Sequence, residues 1–275
     1  MNAQNPDDPT RLHSACYDGN LEVARELLDR GASVNTRNNQ GETPLHQVSR
    51  GQYRSEEGGV GIVQLLLGRR ANIDARDKGR TTPLHLASYY GRVEIVRELL
   101  ERGATVFIRN KKGQTPLHLV LEGNCNCRDG VSIVRLLLAL GRRCVDVDAL
   151  DRSNETPLHL ACKYGKFEIA LLLLKHGARV DTRNIQYQTP LHQLSLSWPW
   201  RFEEVVRIAT ELKNRDADIN ARGKNHETPL HMAYRNYRLE IAQWLLQNGA
   251  DKDAKNNKGE TPSQLALRVS VSPVE

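Results

Sequence analysis

Thr-Pro-Leu-His is written in full six times in this 275-residue chain, at residues 43–46, 82–85, 115–118, 156–159, 189–192 and 228–231. A degenerate copy, Thr10-Arg11-Leu12-His13, precedes the series, and Thr261-Pro262-Ser263-Gln264 closes it. The fourth positions of successive copies are separated by 33, 39, 33, 41, 33, 39 and 33 residues, so long and short steps alternate. A length that would otherwise suggest one or two globules is thereby read as an array of small stacked units. In each copy the threonine suits a helix N-cap, and the proline suits the first helical position, where its missing N–H costs nothing.

The third copy shows the rest of the unit. After His85 come Leu86, Ala87 and Ser88, small enough to let neighbouring helices approach, and then Val93, Ile95, Val96, Leu99 and Leu100 at the spacing of one apolar helical stripe. Gly103 supplies a left-handed stop, and the polar stretch through Gly113 reads as a projecting turn. One such helix pair cannot bury its own stripe, so stability must come from stacking. The period and tetrapeptide resemble the ankyrin repeat, over nearly the whole chain. That resemblance implies an all-α solenoid of stacked helix-turn-helix units with β-hairpin fingers. The units are placed near 10–40, 41–79, 80–112, 113–153, 154–186, 187–225 and 226–258, with a partial eighth at 259–268, within a repeat domain of 10–268. A polar lead, 1–9, and a tail, 269–275, flank it.

Composition narrows the setting. The lead has no apolar core flanked by basic residues, and no run of about 18 apolar residues occurs anywhere. Five scattered cysteines, an odd number, fit a reducing compartment better than a disulfide scaffold, which points to cytoplasm or nucleus. The net charge of +6 is concentrated centrally, with 22 basic against 15 acidic side chains in residues 51–200.

Catalysis has no visible seat. Seven of nine histidines are repeat histidines, for which the resemblance implies hydrogen bonding within and between fingers. Cys125 and Cys127, with Cys144 further on, lack the paired spacing of a structural zinc site. No phosphate-cradling loop, nucleophile elbow or His-Glu-x-x-His is present. No cofactor and no metal are expected, and the chain is read as non-enzymatic.

What remains is surface. Ankyrin arrays generally bind proteins through finger tips and the exposed side of first helices, and the resemblance places candidate positions there. Six residues before each capping threonine stand Arg37, Arg76, Arg109, Leu150, Arg183, Arg222 and Lys255, basic in six of seven. This column reads either as a ladder for an acidic partner or as residues that solvate the fingers. Tyr17, Tyr89, Tyr90, Lys163 and Tyr164 fall at the ends of first helices, where tyrosine is a common interface anchor. The long steps enlarge the connection between the two helices at residues 50–59, 122–130 and 197–204. These read as loops, either tolerated insertions in a duplicated two-unit block or a second binding edge. In the last of them Trp198 and Trp200 flank Pro199, as an exposed anchor or as a clamp on the neighbouring unit.

The reading that follows is a monomeric, non-catalytic module that binds a protein partner, acidic in character if the basic column makes the contact, with no membrane association. An alternative makes the array the recognition part of a larger sensor or scaffold. Nucleic-acid binding draws on the sequence pI of about 9.1, but acidic residues such as Glu42, Glu155, Glu227 and Glu260 sit beside the basic column.

Overall fold

The computed structural model describes residues 9–51, 53, 56–123, 127–140, 145–196 and 202–269. Cys125, Cys144, Trp198 and Trp200 lie outside them. The chain forms two compact units, Met1–Asp146 and Val147–Glu275. Among the described residues all regular structure is helical.

Unit 1 holds α1 (Pro9–Asp18), α2 (Leu21–Asp29), α3 (Pro44–Arg50), α4 (Glu56–Gly68), α5 (Pro83–Tyr89), α6 (Val93–Glu101), α7 (Pro116–Glu122) and α8 (Cys127–Leu140). Unit 2 holds α9 (Pro157–Lys163), α10 (Phe167–Lys175), α11 (Pro190–Leu194), α12 (Phe202–Lys213), α13 (Pro229–Arg235), α14 (Leu239–Gln247) and α15 (Pro262–Val269). Consecutive helices pair, and the pairs stack in register. In unit 1, α1, α3, α5 and α7 pack in one row and α2, α4, α6 and α8 in a second. In unit 2, the rows are α9, α11, α13, α15 and α10, α12, α14. This is the all-α solenoid architecture that the period implies.

The rows follow from side-chain size and spacing. In α6, Ile95, Val96, Leu99 and Leu100 are buried while Glu94 and Arg97 stay in solvent and pair at 3.1 Å. Each fully buried leucine of this kind contributes roughly 2–3 kcal/mol of apolar burial. The first helices are short, seven residues in α3, α5, α7, α9 and α13, and bury small side chains such as Ala87 and Ser88. After α6, Gly103 at φ 88° lets the Ala104 N–H reach the Leu99 carbonyl at 2.9 Å, which closes the helix end.

Three expectations are corrected. Thr10 does not cap its helix, because in this copy the proline precedes the threonine and α1 starts at Pro9; everywhere the helix begins at the proline. The fingers contain no strand among the described residues. Each is closed by two backbone bonds, such as Asn38 N–H to Glu42 O and Gly41 N–H to Asn38 O, too few for a ladder. Finally, the extra residues of the long steps are only partly loop. Residues 56–59, 127–130 and 202–204 are helical, so α4, α8 and α12 run to 13, 14 and 12 residues against nine in α2, α6, α10 and α14.

The described part of the first enlarged connection is a clamp within unit 1. The Tyr53 hydroxyl donates to the Val48 carbonyl. The Arg92 guanidinium from the next pair lies 5.1 Å over the Tyr53 ring and donates to the Gly51 carbonyl. A side chain at Gly51 would stand 2.4 Å from the Tyr17 carbonyl oxygen, and one at Gly123 only 2.1 Å from that of Tyr89. Glycine is required there for close backbone approach, since both residues have ordinary negative φ, −57° and −71°.

Candidate protein-binding surface

Each surface position is held by ties that begin with the repeat histidines. In the full copies the threonine N–H donates to histidine Nδ1, at 3.0 Å for Thr43 and His46 and 3.2 Å for Thr82 and His85. Nδ1 is therefore the unprotonated nitrogen, and Nε2 carries the hydrogen. That Nε2–H reaches the carbonyl just before the next capping threonine: His46 to Thr81, His85 to Gln114, His159 to Gln188, His192 to Glu227 and His231 to Glu260, all at 3.0–3.1 Å. In the degenerate first copy His13 Nε2 lies 3.0 Å from the Glu42 carbonyl. In the last copy the Gln264 amide oxygen accepts the Thr261 N–H at 2.9 Å, doing the acceptor half of the histidine's work.

Burial favours the neutral ring. It depresses His85 and His159 to about 4 and His192 to about 3, the last aided by the positive charge of Arg183, and it also lowers His46 and His231. Bonded at both ring nitrogens, these imidazoles are structural fasteners.

The finger tips are shaped by a second column. Asn38, Asp77, Asn110, Asp151, Asn184 and Asn256 each accept backbone N–H groups of their own turn through a side-chain oxygen. Neighbouring tips are then stitched by one backbone bond. In unit 1, Lys78 N–H donates to Gln40 O at 2.9 Å and Lys111 N–H to Gly79 O at 2.7 Å. In unit 2, Ile185 bonds to Ser153, Lys224 to Gln186 and Asn257 to Asn225.

The basic column divides on this scaffold. Arg37 donates to Gly41 O and to Arg76 O, both at 2.7 Å, and Arg183 donates to Arg222 O at 2.7 Å. Arg109 reaches Gly113 O at 3.3 Å. Arg37 and Arg183 thus tie one finger to the next. Arg76, Arg222 and Lys255 are exposed and form no side-chain ion pair among the described residues.

Between finger and first helix, the residue before the capping threonine meets the residue eight positions later. Glu42 pairs with Arg50 at 2.8 Å, Glu155 with Lys163 at 3.3 Å, and Glu227 with Arg235. Glu122 carries the acid in its pair and accepts from Gln114 at 2.6 Å. The buried carboxylates of this row are thus matched from within. The tyrosines stand beside them. Tyr89 and Tyr90 are half-buried and meet edge to face at 5.0 Å, with Arg50 5.9 Å over Tyr90. Tyr164 is exposed, with Lys163 5.6 Å over its ring. Tyr17 is half-buried and places its carbonyl against Gly51. Finger and first helix enclose an open hollow of about 270 Å³ in unit 1, lined by Thr10, His13, Arg37 and Asn38 to Gln40. Unit 2 has one of about 490 Å³, lined by Glu227, Arg235, Asn256, Lys258, Glu260 and Leu265 among others.

Four further exposed cations on the finger tips, Lys78, Arg80, Lys111 and Lys112, were not singled out in the sequence. Their signal was present in the same register as the basic column, two to four residues further on. No three His, Cys, Asp or Glu side chains group as metal ligands among the described residues. Cys16 and Cys162 are buried free thiols; burial pushes Cys16 up to about 12 and raises Cys162 as well.

Family models described as ankyrin repeats match residues 52–138, 108–184 and 125–222 as three-copy blocks, and residues 12–56 and 212–266 as many-copy blocks. The chain belongs to the ankyrin repeat family. Ankyrin repeats generally mediate protein–protein interactions and are typically non-catalytic. Similar proteins include the transient receptor potential cation channel subfamily A member 1 homolog of Caenorhabditis elegans, 33% identical over 44% of this ankyrin repeat chain and 10% of that protein. Ankyrin repeat and SOCS box protein 16 of Mus musculus is 34% identical over 42% of this chain and 26% of its own length. Neurogenic locus notch homolog protein 1 of Homo sapiens is 31% identical over 42% and 6%. The match therefore spans a tenth, a quarter and a smaller share still of these relatives. No helix among the described residues is long and apolar enough to cross a membrane.

Proposed function

We propose that this ankyrin repeat protein is a non-catalytic binder of a partner protein, which it engages along the finger tips and the exposed ends of the first helices. The observation that carries the reading is the division of labour on that face. The histidines, the Asn and Asp of the turns and the buried carboxylates are consumed by internal bonds, whereas Arg76, Arg222, Lys255 and the tip lysines stand in solvent, as does the ring of Tyr164. Rigid fingers with outward side chains suit recognition, because little entropy is lost when they are contacted. Tyr17, Tyr89, Tyr90, Lys163 and Tyr164 supply the anchors on the helix side, Arg37 and Arg183 hold the fingers to which Arg76 and Arg222 belong, and Arg109 braces its own finger. Affinity capture with the wild-type chain and with a Tyr89→Ala, Tyr90→Ala, Tyr164→Ala variant tests this. Loss of a partner protein from the variant supports the reading, and identical capture by both overturns it.

A second reading, the recognition part of a larger sensor or scaffold, draws on the relatives, in which the matched stretch is a small share of the chain. A transcript that extends the reading frame would support it.

A further inference from the structure

We propose that the finger tips at residues 76–80 and 109–113 in unit 1 dock an acidic, extended segment of the partner; the inference rests on the protein-binding reading above and gives that partner its chemistry. These ten residues hold Arg76, Lys78, Arg80, Arg109, Lys111 and Lys112 against a single carboxylate, Asp77. All six cations are exposed. Asp77 is spent locally, accepting the Thr81 N–H at 2.7 Å, and nearby Asp74 accepts from the Thr105 N–H and hydroxyl at 3.0 and 2.5 Å. Among the described residues Arg76, Lys78, Arg80, Lys111 and Lys112 enter no ion pair, although nine other cations of the chain do. Like charges are therefore gathered and held together, and the Lys111 N–H bond to Gly79 O sets Lys111 directly beside the tip that carries Lys78 and Arg80.

Stacked pairs lie about 10 Å apart, and an extended peptide advances about 3.3 Å per residue. Carboxylates three residues apart on such a peptide match the step from one tip to the next. The tips themselves contain no aromatic side chain, and the exposed Phe107 two residues before Arg109 is a single ring rather than a series on which successive bases stack, which favours a peptide over a single-stranded nucleic acid. Unit 2 makes the contrast: its first two tips, residues 150–154 and 183–187, hold only Arg152, countered by Asp151, and Arg183, and its last two, 222–226 and 255–259, hold two lysines or arginines each.

The test uses the full chain and a fluorescein-labelled peptide of Glu and Ser, followed by anisotropy. Binding is expected to weaken as salt rises. Neutralising the tips (Lys78→Gln, Arg80→Asn, Lys111→Gln, Lys112→Gln) is expected to lower affinity about ten- to a hundredfold, the loss for four exposed charge contacts. A control with four exposed cations of unit 2 outside the finger tips changed to Gln (Lys175, Arg207, Lys213, Lys252) should bind within about twofold of wild type. No binding by the wild type, or equal loss in both variants, overturns the proposal. Tighter, tip-dependent binding of duplex DNA or of phosphatidylserine vesicles overturns it in favour of a nucleic acid or a membrane surface. Partner capture separates the two levels. If the tip variant captures normally while the tyrosine variant does not, the acidic segment is refuted and the binding reading stands; if both capture normally, both fall.

Discussion

The two units share their internal wiring and differ at their tips. Unit 1 ties His46 and His85 to the next finger as unit 2 ties His159, His192 and His231, and Arg37 bridges fingers in one as Arg183 does in the other. Yet the tips of unit 1 are cationic, while the first two fingers of unit 2 show Leu150, Ile185 and Tyr187 to solvent, at 39, 51 and 58% exposure. Bonds that specify the scaffold sit at fixed register and recur. At the tips the stitching bonds run through the backbone, which many side chains permit, so tip chemistry can differ and is where partner choice can reside.

If the wiring is common, acid should dissolve it in both units. A histidine whose folded pKa is depressed binds its proton in the unfolded state first, so stability is full above about 6.5 and falls as pH drops. For His85 and His159 the loss runs from about 6.5 to about 4, and for His192 it continues to about 3. At 1.36 kcal/mol per pH unit, His85 and His159 each account for roughly 3 kcal/mol. Tryptophan emission follows unit 2, which holds all three tryptophans of the chain, and far-ultraviolet dichroism follows both. His192→Gln, which keeps the acceptor role that Gln264 plays in the last copy, should flatten the tryptophan profile below pH 6.5; an unaltered profile would assign the acid sensitivity elsewhere.

The enlarged connections differ from the short ones in the residue that closes the first helix. Gly123→Ala drives a methyl group into the Tyr89 carbonyl and should destabilise unit 1 by about 1–3 kcal/mol, although the backbone φ is one alanine accepts. At the equivalent places in unit 2 stand Tyr164 and Asn236, whose helix pairs have the short connection. A thermal midpoint equal to wild type would show that the approach relaxes freely.

A smaller effect separates the two kinds of arginine. Arg37→Met and Arg183→Met each lose guanidinium bonds to carbonyls and should cost about 1 kcal/mol in urea unfolding. Arg76→Met and Arg222→Met should stay within about 0.5 kcal/mol of wild type, as exposed substitutions without bonds do. Equal losses at all four positions would erase the distinction between tie and free charge.

That distinction marks the limit of what was legible in the sequence. The helices were, because proline at the first turn, the apolar stripe at residues 93–100 and Gly103 act locally. The identity of the column at Arg37, Arg76 and Arg183 was equally visible. What the side chains do was not, since a bond from Arg37 to Arg76 O spans 39 residues and depends on how two fingers are brought together. The same holds for the long steps. Residues 56–59, with two glycines, look like loop in sequence, and become helix because Gly58 and Gly59 fit beneath the Gly19 carbonyl and the Tyr53 ring.

The smallest expected effect bears most directly on the tips. Tyr187 sits at φ 57°, where Gly41, Gly113 and Gly259 occupy the corresponding turns, and it does so with its ring exposed. A left-handed backbone costs a residue other than glycine about 1–2 kcal/mol, offset in part by the extra chain entropy of glycine, about 0.5–1 kcal/mol. Tyr187→Gly should therefore stabilise unit 2 by a few tenths of a kcal/mol up to about 1 kcal/mol, read as a higher midpoint of the tryptophan transition. Its effect on capture decides what the strain is for. A variant that is more stable and captures less partner makes the apolar tip a contact, and unit 2 then recognises its partner by surface burial where unit 1 uses charge. A variant that is more stable and captures equally well removes Tyr187 from the interface and leaves the cationic tips as the side of the comparison that carries recognition.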